Sequence, residues 1–473
     1  MIGNINPDGR QNEVIALKPY GHNVVLGTAG SGKTTMALLR AIGLSNLPSS
    51  PNVLVVTFNG ALVQYMDKII NRCYKNITIE NFHRFARGYL NSRGKMPCYN
   101  GILNSDIKEE LIRCALSHLK DNYPEESTLQ RPLTVFVDEI TFIQNFGFAN
   151  LQEYVSAERI GRSSANIKRE NRKWFYAVFE KYKELREKDG YLYDWDDLAF
   201  YTYREFINDN EKRRYDHIIV DEGQDFSPMM IKALTVAVNK SGSFSFFGDV
   251  AQQIYGSRLS WRDSGISVKD NKIWRFDCNY RNPTNISLFA NDITESEFWS
   301  SKDDMVSPTK HIAEGPKPVL LKFSNIDNET TWLISQIKNN IQTSSNVIIC
   351  RNRLKINYLK KLLNKNGVSV KIIDKDNAGF ATVKGVYLST FHAAKGLEFE
   401  NVFIPFLSNQ TFPDMETINS ASDKKRALAD ELKLLYVAVT RSKYGLFMSF
   451  HNELSELFPY KSKNYDYIKE DEL

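Results

Sequence analysis

Two short segments of the chain carry residues that could together bind and hydrolyse a nucleoside triphosphate. Residues 27–34 read GTAGSGKT, which fits the pattern G-x-x-x-x-G-K-[ST] of a phosphate-binding loop. The glycines let backbone N–H groups approach phosphate oxygens, and the N-terminus of the following helix favours their negative charge. Lys33 is predicted to reach the β- and γ-phosphates, and the Thr34 hydroxyl is predicted to bind Mg²⁺. A chance glycine-rich turn is the alternative, with an expected frequency on the order of one in a hundred.

A hydrolytic site also needs a carboxylate for the metal and a base for the attacking water. Residues 217–225 read HIIVDEGQD, a strand-like run that ends in two acids. Asp221 is predicted to bind Mg²⁺, and Glu222 is predicted to act as the base. Residues 135–140, VFVDEI, look similar but lack the Gln–Asp pair that follows Glu222. They also lie in a stretch of helical pattern, so we interpret their two acids as structural.

The hydrophobic pattern predicts the sheet that would position these residues. Buried-strand patterns occur at 23–26 (NVVL) and 52–56 (NVLVV), with a helical pattern between them. Strand–helix–strand alternation predicts a parallel α/β sheet. The strand pattern returns at 217–221 and 243–249, whereas residues 91–190 are mostly helical in pattern. The first half therefore predicts a sheet unit with a helical insertion.

The second half of the chain repeats the alternation of strands and helices. Its candidate strands are PVLLKF (318–323), NVIIC (346–350), VYLST (386–390), NVFIPF (401–406) and GLFMSF (445–450). A second α/β unit is therefore expected. The last residues, 461–473, are polar, and we expect them to form a solvated tail.

Length and composition are those of a multidomain globular protein. At about 150 residues per domain, 473 residues predict about three domains. The net charge of +5 permits a nucleic-acid partner without requiring one. No apolar run approaches the ~18 residues of a membrane helix, and the N-terminus lacks the pattern of a secretion signal. The five widely spaced cysteines are expected to be buried free thiols in a reducing cytoplasm.

Further segments stand in a definite order around the first two. They are INPDGRQNEVI (5–15), VVTFNGALVQYM (55–66), ENFHRFA (80–86), YDWDDLAF (193–200), FFGDVAQQIYGSR (246–258), NYRNP (279–283), STFHAAKGLEFENVFI (389–404) and LLYVAVTRSK (434–443). Over nearly the whole chain, these motifs resemble those of the UvrD/Rep family of superfamily 1 DNA helicases. The resemblance implies an α/β fold with two RecA-like P-loop NTPase domains, 1A and 2A, and a helical 1B insertion. The implied bounds are 1–90 and 191–278 for 1A, 91–190 for 1B, and 279–473 for 2A.

The resemblance assigns many motif residues to ATP, which would lie in the cleft between the two sheet domains. Gln11 is implied to read adenine, and Tyr280 to stack on it. Arg281 and Arg441 are implied to act as arginine fingers, and Gln252 to sense the γ-phosphate. Further implied contacts with the nucleotide are Gly27, Thr28, Ala29, Gly30, Ser31, Gly32, Lys33, Thr34, Thr35, Gly396 and Glu398.

A second set of residues is implied to contact single-stranded DNA. They are Thr57, Phe58, Asn59, Phe82, His83, Tyr255, Arg258, Thr390 and His392. Aromatic side chains in such proteins stack on bases, and cations follow the backbone. The residue types alone leave alternatives open, since Phe58 and Phe82 could be core aromatics and His392 could be a structural histidine.

The chain departs from the family pattern in three places. Ser257 stands where the family usually has a tryptophan that stacks on a base, an interaction worth ~1–3 kcal/mol. Trp261 could substitute for it. Thr35 stands where an arginine often lies near adenine. Only 108 residues separate Arg281 from Thr390, which leaves no room for the mobile 2B subdomain of longer family members.

One stretch of the predicted 1B insertion is strongly basic. Residues 159–173 hold six Lys or Arg against one Glu, an excess equal to the net charge of the whole chain. Aromatic residues are interleaved in the segment that follows, 174–182. This pattern predicts contact with the DNA backbone. A solvated helix face with a buried aromatic stripe is the alternative.

These features predict a cytoplasmic, ATP- and Mg²⁺-dependent 3′→5′ DNA translocase and helicase, with the direction implied by the resemblance alone. Its partners would be single-stranded DNA and duplex–single-strand junctions, and no membrane. The alternative is a DNA-sensing regulatory ATPase with weak unwinding, acting beside a nuclease in an antiphage system of the Gabija type. DNA repair, antiviral defence and RNA binding all stay open at this point.

Overall fold

A computed structural model describes residues 7, 9–58, 60–70, 74–97, 101–157, 167–210, 214–252, 261, 264–267, 273–299, 305–311, 313–340, 343–373, 383–421 and 423–473. Two parallel sheets and a helical insertion make up this part of the chain. Within the same residues, no helix is both long enough and apolar enough to cross a membrane. The predicted fold class is confirmed.

The first sheet has six parallel strands. In chain order they are β1 (Gly21–Gly27), β2 (Val53–Thr57), β3 (Ile77–Asn81), β6 (Tyr215–Asp221), β7 (Val238–Gly248) and β8 (Ile273–Phe276). Their spatial order is β3-β2-β6-β7-β1-β8. Its helices are α1 (Gly9–Ile15), α2 (Lys33–Ser45), α3 (Gly60–Ile70), α4 (Phe82–Ser92), α9 (Leu198–Asn208) and α10 (Pro228–Val236). All four strands predicted for the first half are present, and β3 and β8 are additional.

Strand β2 shows why these residues form a central strand. Leu54 and Val56 belong to one apolar core, whereas Val53 and Val55 belong to another. Successive side chains of a strand point to opposite faces, so a continuous apolar run buries both faces of a sheet. Thr57 ends β2 and lies in register with Asp221. The loops that follow the strands therefore start at one common edge, where ligands bind in open α/β sheets.

The insertion packs as a helical unit with its own apolar core. Its helices are α5 (Ser105–Asn122), α6 (Leu133–Phe146), α7 (Leu151–Ser156) and α8 (Arg172–Lys188). A short ladder between β4 (Ile102–Leu103) and β5 (Tyr193–Asp194) closes its base. Residues 135–140 lie within α6, in agreement with their place in a stretch of helical pattern. Glu139 is buried there and accepts a hydrogen bond from the Tyr154 hydroxyl, a structural role as predicted.

A buried polar cluster joins this insertion to the first sheet domain. Arg186 forms an ion pair with Asp197 and lies 3.5 Å from Asp194. Nζ of Lys108 lies 3.3 Å from Oδ2 of Asp194. The Tyr182 hydroxyl donates a hydrogen bond to the same Asp194 oxygen at 2.6 Å. Burial would raise the pKa of Asp194, but Lys108 and Arg186 hold it at about 2. Burial and the charge of Asp194 raise the pKa of Asp197 to about 7.

The second sheet has seven parallel strands. In chain order they are β11 (Val319–Phe323), β12 (Ser345–Cys350), β13 (Lys371–Ile372), β14 (Gly385–Thr390), β15 (Phe399–Ile404), β16 (Ser442–His451) and β17 (Asp466–Lys469). Their spatial order is β13-β14-β12-β15-β16-β11-β17. The helices are α11 (Thr284–Thr294), α12 (Ile326–Asn340), α13 (Arg353–Lys365), α14 (Met415–Ser420) and α15 (Lys424–Val439), and β9 (Cys278–Asn279) pairs with β10 (Lys310–His311). The five strands predicted for this half are confirmed.

Two expectations from the sequence were wrong. The polar C-terminal segment is not a free tail, because β17 pairs with β11 and the Glu470 carboxylate accepts a hydrogen bond from the backbone N–H of Ser324. Of the three described cysteines, Cys350 is buried, but Cys114 is exposed and Cys278 is only partly buried. Both errors arose because composition alone does not show that the edge of β11 is open to a further strand, or which side chains the fold leaves exposed.

Candidate functional site

The phosphate loop connects β1 to α2 in the predicted way. Gly30 and Gly32 have φ angles of 72° and 82°, a region that side-chain-bearing residues rarely adopt. A Cβ atom on Gly30 would lie only 2.4 Å from the side chain of Asn279. Lys33 is buried and donates to the carbonyl oxygens of Gly27 at 3.0 Å and Thr28 at 2.8 Å. The loop is therefore curled around the ammonium group that is predicted to meet phosphate.

The two predicted acids lie at the end of β6, beside this loop. The Thr34 hydroxyl donates to Oδ2 of Asp221 at 2.7 Å. Burial and the neighbouring Glu222 charge raise the pKa of Asp221 to about 7. Burial also opposes ionisation of Glu222, but Lys395 and Lys33 lower its pKa below the usual value. Glu222 has a φ of 53°, which is a strained conformation for a residue other than glycine. Its side chain lines the site.

The second sheet domain contributes cations to the same place. Arg441 is buried at the junction of α15 and β16, and it donates to Oε1 of Gln252 at 3.0 Å. Arg281 follows β9 and forms an ion pair with Glu398. Burial lowers the pKa of Arg441 to about 10, so its guanidinium is still charged at neutral pH. The predicted finger residues and the predicted sensor Gln252 are therefore brought together.

A buried ion pair between the domains was missed by the sequence analysis. Nζ of Lys395, in the loop after β14, donates to Oδ1 of Asp225 at 2.6 Å and to the Gln252 carbonyl at 2.5 Å. Asp225 belongs to the DEGQD segment of the first domain. Lys395 lies in the motif HAAKGLEF, and Asp225 lies in DEGQD. The two residues are 170 positions apart, and a pairing over that separation leaves no signal in a single sequence.

A cleft of about 450 Å³ lies between the two sheet domains. Its walls come from both of them and consist of Ala29, Gly30, Ser31, Gly32, Lys33, Thr34, Thr35, Leu62, Glu222, Gln252, Tyr280, Arg281, Gly396, Leu397, Glu398, Arg441 and Lys443. Most residues predicted to bind ATP are in this set. Gln11, Gly27 and Thr28 are not in it. The Gln11 amide donates to the Ser31 carbonyl at 3.1 Å. Lys443 lines the cleft although the sequence analysis gave it no role.

The donor set fits a triphosphate accompanied by Mg²⁺. The Ser31 hydroxyl, in the phosphate loop, is buried without a hydrogen-bond partner among the described residues, and so is Oδ2 of Asp249, 3.7 Å from Lys33. Thr34 and Asp221 supply the hard oxygen ligands that Mg²⁺ prefers, and this ion commonly takes only one or two protein ligands beside substrate and water. These residues could hold the ion.

Apart from the cleft, a group of aromatic side chains lies near the ends of β2 and β3. The rings of Phe58 and His83 lie 6.1 Å apart, and Trp195 packs edge-on against His83 at 5.3 Å. All three are partly exposed. Thr57 and Phe82 are fully buried, so neither side chain offers a surface to DNA in this conformation. Trp195, in the motif YDWDDLAF, was not singled out from the sequence.

Two predicted DNA contacts lie in the second domain, at the end of β14. The Thr390 hydroxyl is partly exposed and accepts a hydrogen bond from the Ala393 N–H at 3.2 Å. Burial, Arg351 and Lys395 lower the pKa of His392 to about 4, so its imidazole is neutral at physiological pH. His392 is three residues from Lys395, and Lys395 bonds to the carbonyl of Gln252, a residue that lines the cleft. The loop after β14 therefore connects His392 to the cleft.

Several predicted DNA contacts lie outside the described residues. They are Asn59, Tyr255, Arg258, Arg159 and Arg162. Ser257, which stands in place of the family's stacking tryptophan, also lies outside the described residues. Trp261 lies within the described residues, and its ring packs edge-on against Phe246 at 5.1 Å. Phe246 belongs to the same apolar core as Leu54 and Val56. Arg172, which contributed to the basic stretch, is buried and donates to the backbone carbonyls of 154, 155 and 157. That residue is structural.

Comparison with known proteins agrees with this geometry. The UvrD/REP helicase N-terminal domain matches residues 8–271, and the UvrD-like helicase C-terminal domain matches residues 274–382 and 374–453. A probable DNA helicase of Mycoplasma pneumoniae is 24% identical and is aligned over 90% of this chain and 80% of its own length. DNA helicase II of Haemophilus influenzae is 25% identical, over 72% of this chain and 47% of its own. ATP-dependent DNA helicase Rep of Buchnera aphidicola is 23% identical, over 75% and 56%. This chain thus spans about half the length of the last two relatives, and it belongs to the UvrD/Rep family of DNA helicases.

Proposed function

We propose that the chain is an ATP-driven motor that moves 3′→5′ along single-stranded DNA and unwinds duplexes at junctions. One observation carries the proposal: Arg281 and Arg441 of the second sheet domain meet Lys33 and Glu222 of the first in a single cleft. Charge neutralisation around a transferring phosphoryl group is the main catalytic need in nucleotide hydrolysis. The cleft offers that charge only when both domains contribute.

The chain's residues would divide the work of hydrolysis. Lys33 would leave the loop carbonyls for the phosphates, and Arg441 and Arg281 would approach the γ-phosphate from the other domain. Glu222 is ionised because its cationic neighbours overcome its burial, so it can accept a proton from the attacking water. Mg²⁺, when held by Thr34 and Asp221, would neutralise charge developing on the phosphates.

Lys395 would connect this chemistry to DNA. It anchors the loop that carries Thr390 and His392 to Asp225 and to the Gln252 carbonyl. Thr390 and His392 would form one DNA-binding surface, on the second sheet domain. Phe58, His83 and Trp195 would form another, on the first. Opening and closing the cleft would change the distance between them, which is a hinge motion.

The domain assignment follows from the same reasoning and is part of the proposal. It comprises 1A at 1–90 and 191–278, 1B at 91–190, and 2A at 279–473. We further propose single-stranded DNA and duplex junctions as the partners and the cytoplasm as the place of action.

Strand displacement separates this function from that of a regulatory ATPase. The purified chain is incubated with ATP, Mg²⁺ and a labelled duplex bearing either a 3′ or a 5′ single-stranded tail. Displacement of the 3′-tailed duplex alone supports the proposal, and preference for the 5′ tail would refute the direction. DNA-stimulated ATP turnover without displacement would favour the regulatory role.

Lys33→Ala is the matched control for the nucleotide site. Because Lys33 is the buried cation of the phosphate loop, this variant should lose ATP turnover by at least ~10²-fold, as when single transition-state charges are removed. Retained turnover would show that the hydrolytic site lies elsewhere.

A further inference from the structure

Lys443 is a cation of the cleft that the function described above does not use. It follows Arg441 by two residues at the start of β16, and both side chains line the cleft. Nζ of Lys443 lies 2.8 Å from Oε2 of Glu398. Arg281 forms an ion pair with the other oxygen of the same carboxylate. Two cations of the cleft therefore share one carboxylate.

This sharing has a consequence for nucleotide binding. The side chains of Arg281, Glu398 and Lys443 are 20%, 33% and 48% exposed, so the pair with Arg281 is the more enclosed of the two. Burial alone would raise the pKa of Glu398, yet Arg281 and Lys443 hold it at about 2, so it is ionised at neutral pH. An Arg281 guanidinium that moves to a γ-phosphate would give up this ion pair with Glu398. A partly buried carboxylate without a partner is unfavourable.

We infer that Lys443 is a positioning residue for ATP binding: it stays on Glu398 and keeps that carboxylate paired while Arg281 transfers to the γ-phosphate. This inference rests on the proposed function, because it requires Arg281 to act on the nucleotide. Without Lys443, Arg281 and Glu398 form an exclusive pair that ATP must break without compensation. ADP has no γ-phosphate and does not require that transfer.

Equilibrium binding of adenylyl imidodiphosphate and of ADP, each with Mg²⁺, tests the inference in the full chain. In Lys443→Met, the Kd for the triphosphate analogue should rise about three- to fivefold, the upper part of the effect of one partly exposed ion pair. The Kd for ADP should change less than about twofold, which also shows that the variant is folded. Lys443→Arg should bind like the wild type. Lys443→Gln gives the same test if the Met variant aggregates.

A second substitution distinguishes positioning from direct contact with phosphate. Adding Lys443→Met to Glu398→Gln should not weaken binding of the analogue below that of Glu398→Gln alone, because a neutral amide releases Arg281 without leaving an unpaired charge. A double variant that binds the analogue more weakly than Glu398→Gln alone would mean that Lys443 touches the nucleotide itself and would overturn the inference. Lys425→Met, an exposed lysine of α15, is the matched control and should change neither Kd.

Failure of the inference and failure of the proposed function have different signatures. A wild-type chain that binds neither nucleotide would refute the function. A wild-type chain that binds both, with Lys443→Met either unchanged or weakened equally toward both, would overturn only the role of Lys443.

Discussion

Lys395→Met removes a buried cation that joins the two sheet domains, and the structure indicates how much stability this should cost. The Lys395 side chain is 5% exposed, and its hydrogen bonds to Asp225 and to the Gln252 carbonyl disappear in this variant. Buried groups left without partners cost ~1–3 kcal/mol. Asp225 must also lose its charge. Burial raises its pKa to about 6 even with Lys395 beside it, so protonation at pH 7 adds ~1.4 kcal/mol.

The expected loss in free energy of unfolding is therefore ~3 kcal/mol at pH 7, at the low end of the range for breaking a buried ion pair. The sign of its pH dependence follows from Asp225. A carboxyl group whose folded pKa lies above its unfolded value destabilises the protein as pH rises toward the folded pKa. In the wild type that window ends near pH 6. Without Lys395 it extends higher, so the loss should grow above pH 6 by up to ~1.4 kcal/mol per unit.

Urea unfolding of Lys395→Met, Asp225→Asn and the double variant, at pH 5.5 and pH 8, measures these quantities. The double variant should recover part of the loss, with a coupling free energy of ~1–3 kcal/mol, and should show no extra pH dependence. DNA-stimulated ATP turnover should fall more than basal turnover, because Lys395 anchors the loop that carries Thr390. Lys361→Met, on the exposed side of α13, is the control. A loss below ~0.5 kcal/mol at pH 8, or one that is the same at both pH values, would refute the reasoning.

Three further predictions follow from the described contacts. Arg186→Met leaves Asp194 and Asp197 buried without their guanidinium, so the free energy of unfolding by urea should fall by ~3–5 kcal/mol, and a change below ~1 kcal/mol would contradict this. His392 has a folded pKa of about 4, below its unfolded value, so the unfolded chain takes up the proton first and stability falls as pH drops from 6.5 to 4. His392→Asn should remove up to ~3 kcal/mol of that fall in acid-denaturation curves, and identical curves would contradict the assignment. Neutralising the basic stretch of the insertion should lower the slope of log affinity for single-stranded DNA against log salt by up to ~3, and an unchanged slope would reject that surface; the residues to change are Arg159, Arg162, Lys168 and Arg169.

Local signals carried most of the prediction. Four strands of the first sheet and five of the second were predicted because apolar runs of four to six residues bury both faces of a parallel sheet, as Val53–Val56 do. The phosphate loop was found because its geometry requires glycine at particular spacings. The run VFVDEI is ambiguous by itself, because its apolar residues suit a strand as well as one face of a helix; its place in a stretch of helical pattern indicated the helix that the structure has.

Contacts between distant segments were not predictable in this way. The pairing of β17 with β11 depends on an open sheet edge, which no composition of the last residues reveals. Phe82 is buried against Phe226, which is distant in the sequence, so a residue named by a motif became part of the core. Trp195, to which the sequence analysis gave no role, is partly exposed beside His83.

The sequence by itself therefore determined the family, the two-sheet architecture and the residue types available to phosphate and Mg²⁺, because these rest on local spacing and hydrophobic pattern. Only the tertiary structure decided which charges meet. Lys395 reaches Asp225, and Lys443 shares Glu398 with Arg281, because two separately folded sheets place their loops against one cleft. Electrostatic pairing depends on distance and burial, and neither quantity is carried by the order of residues along one chain.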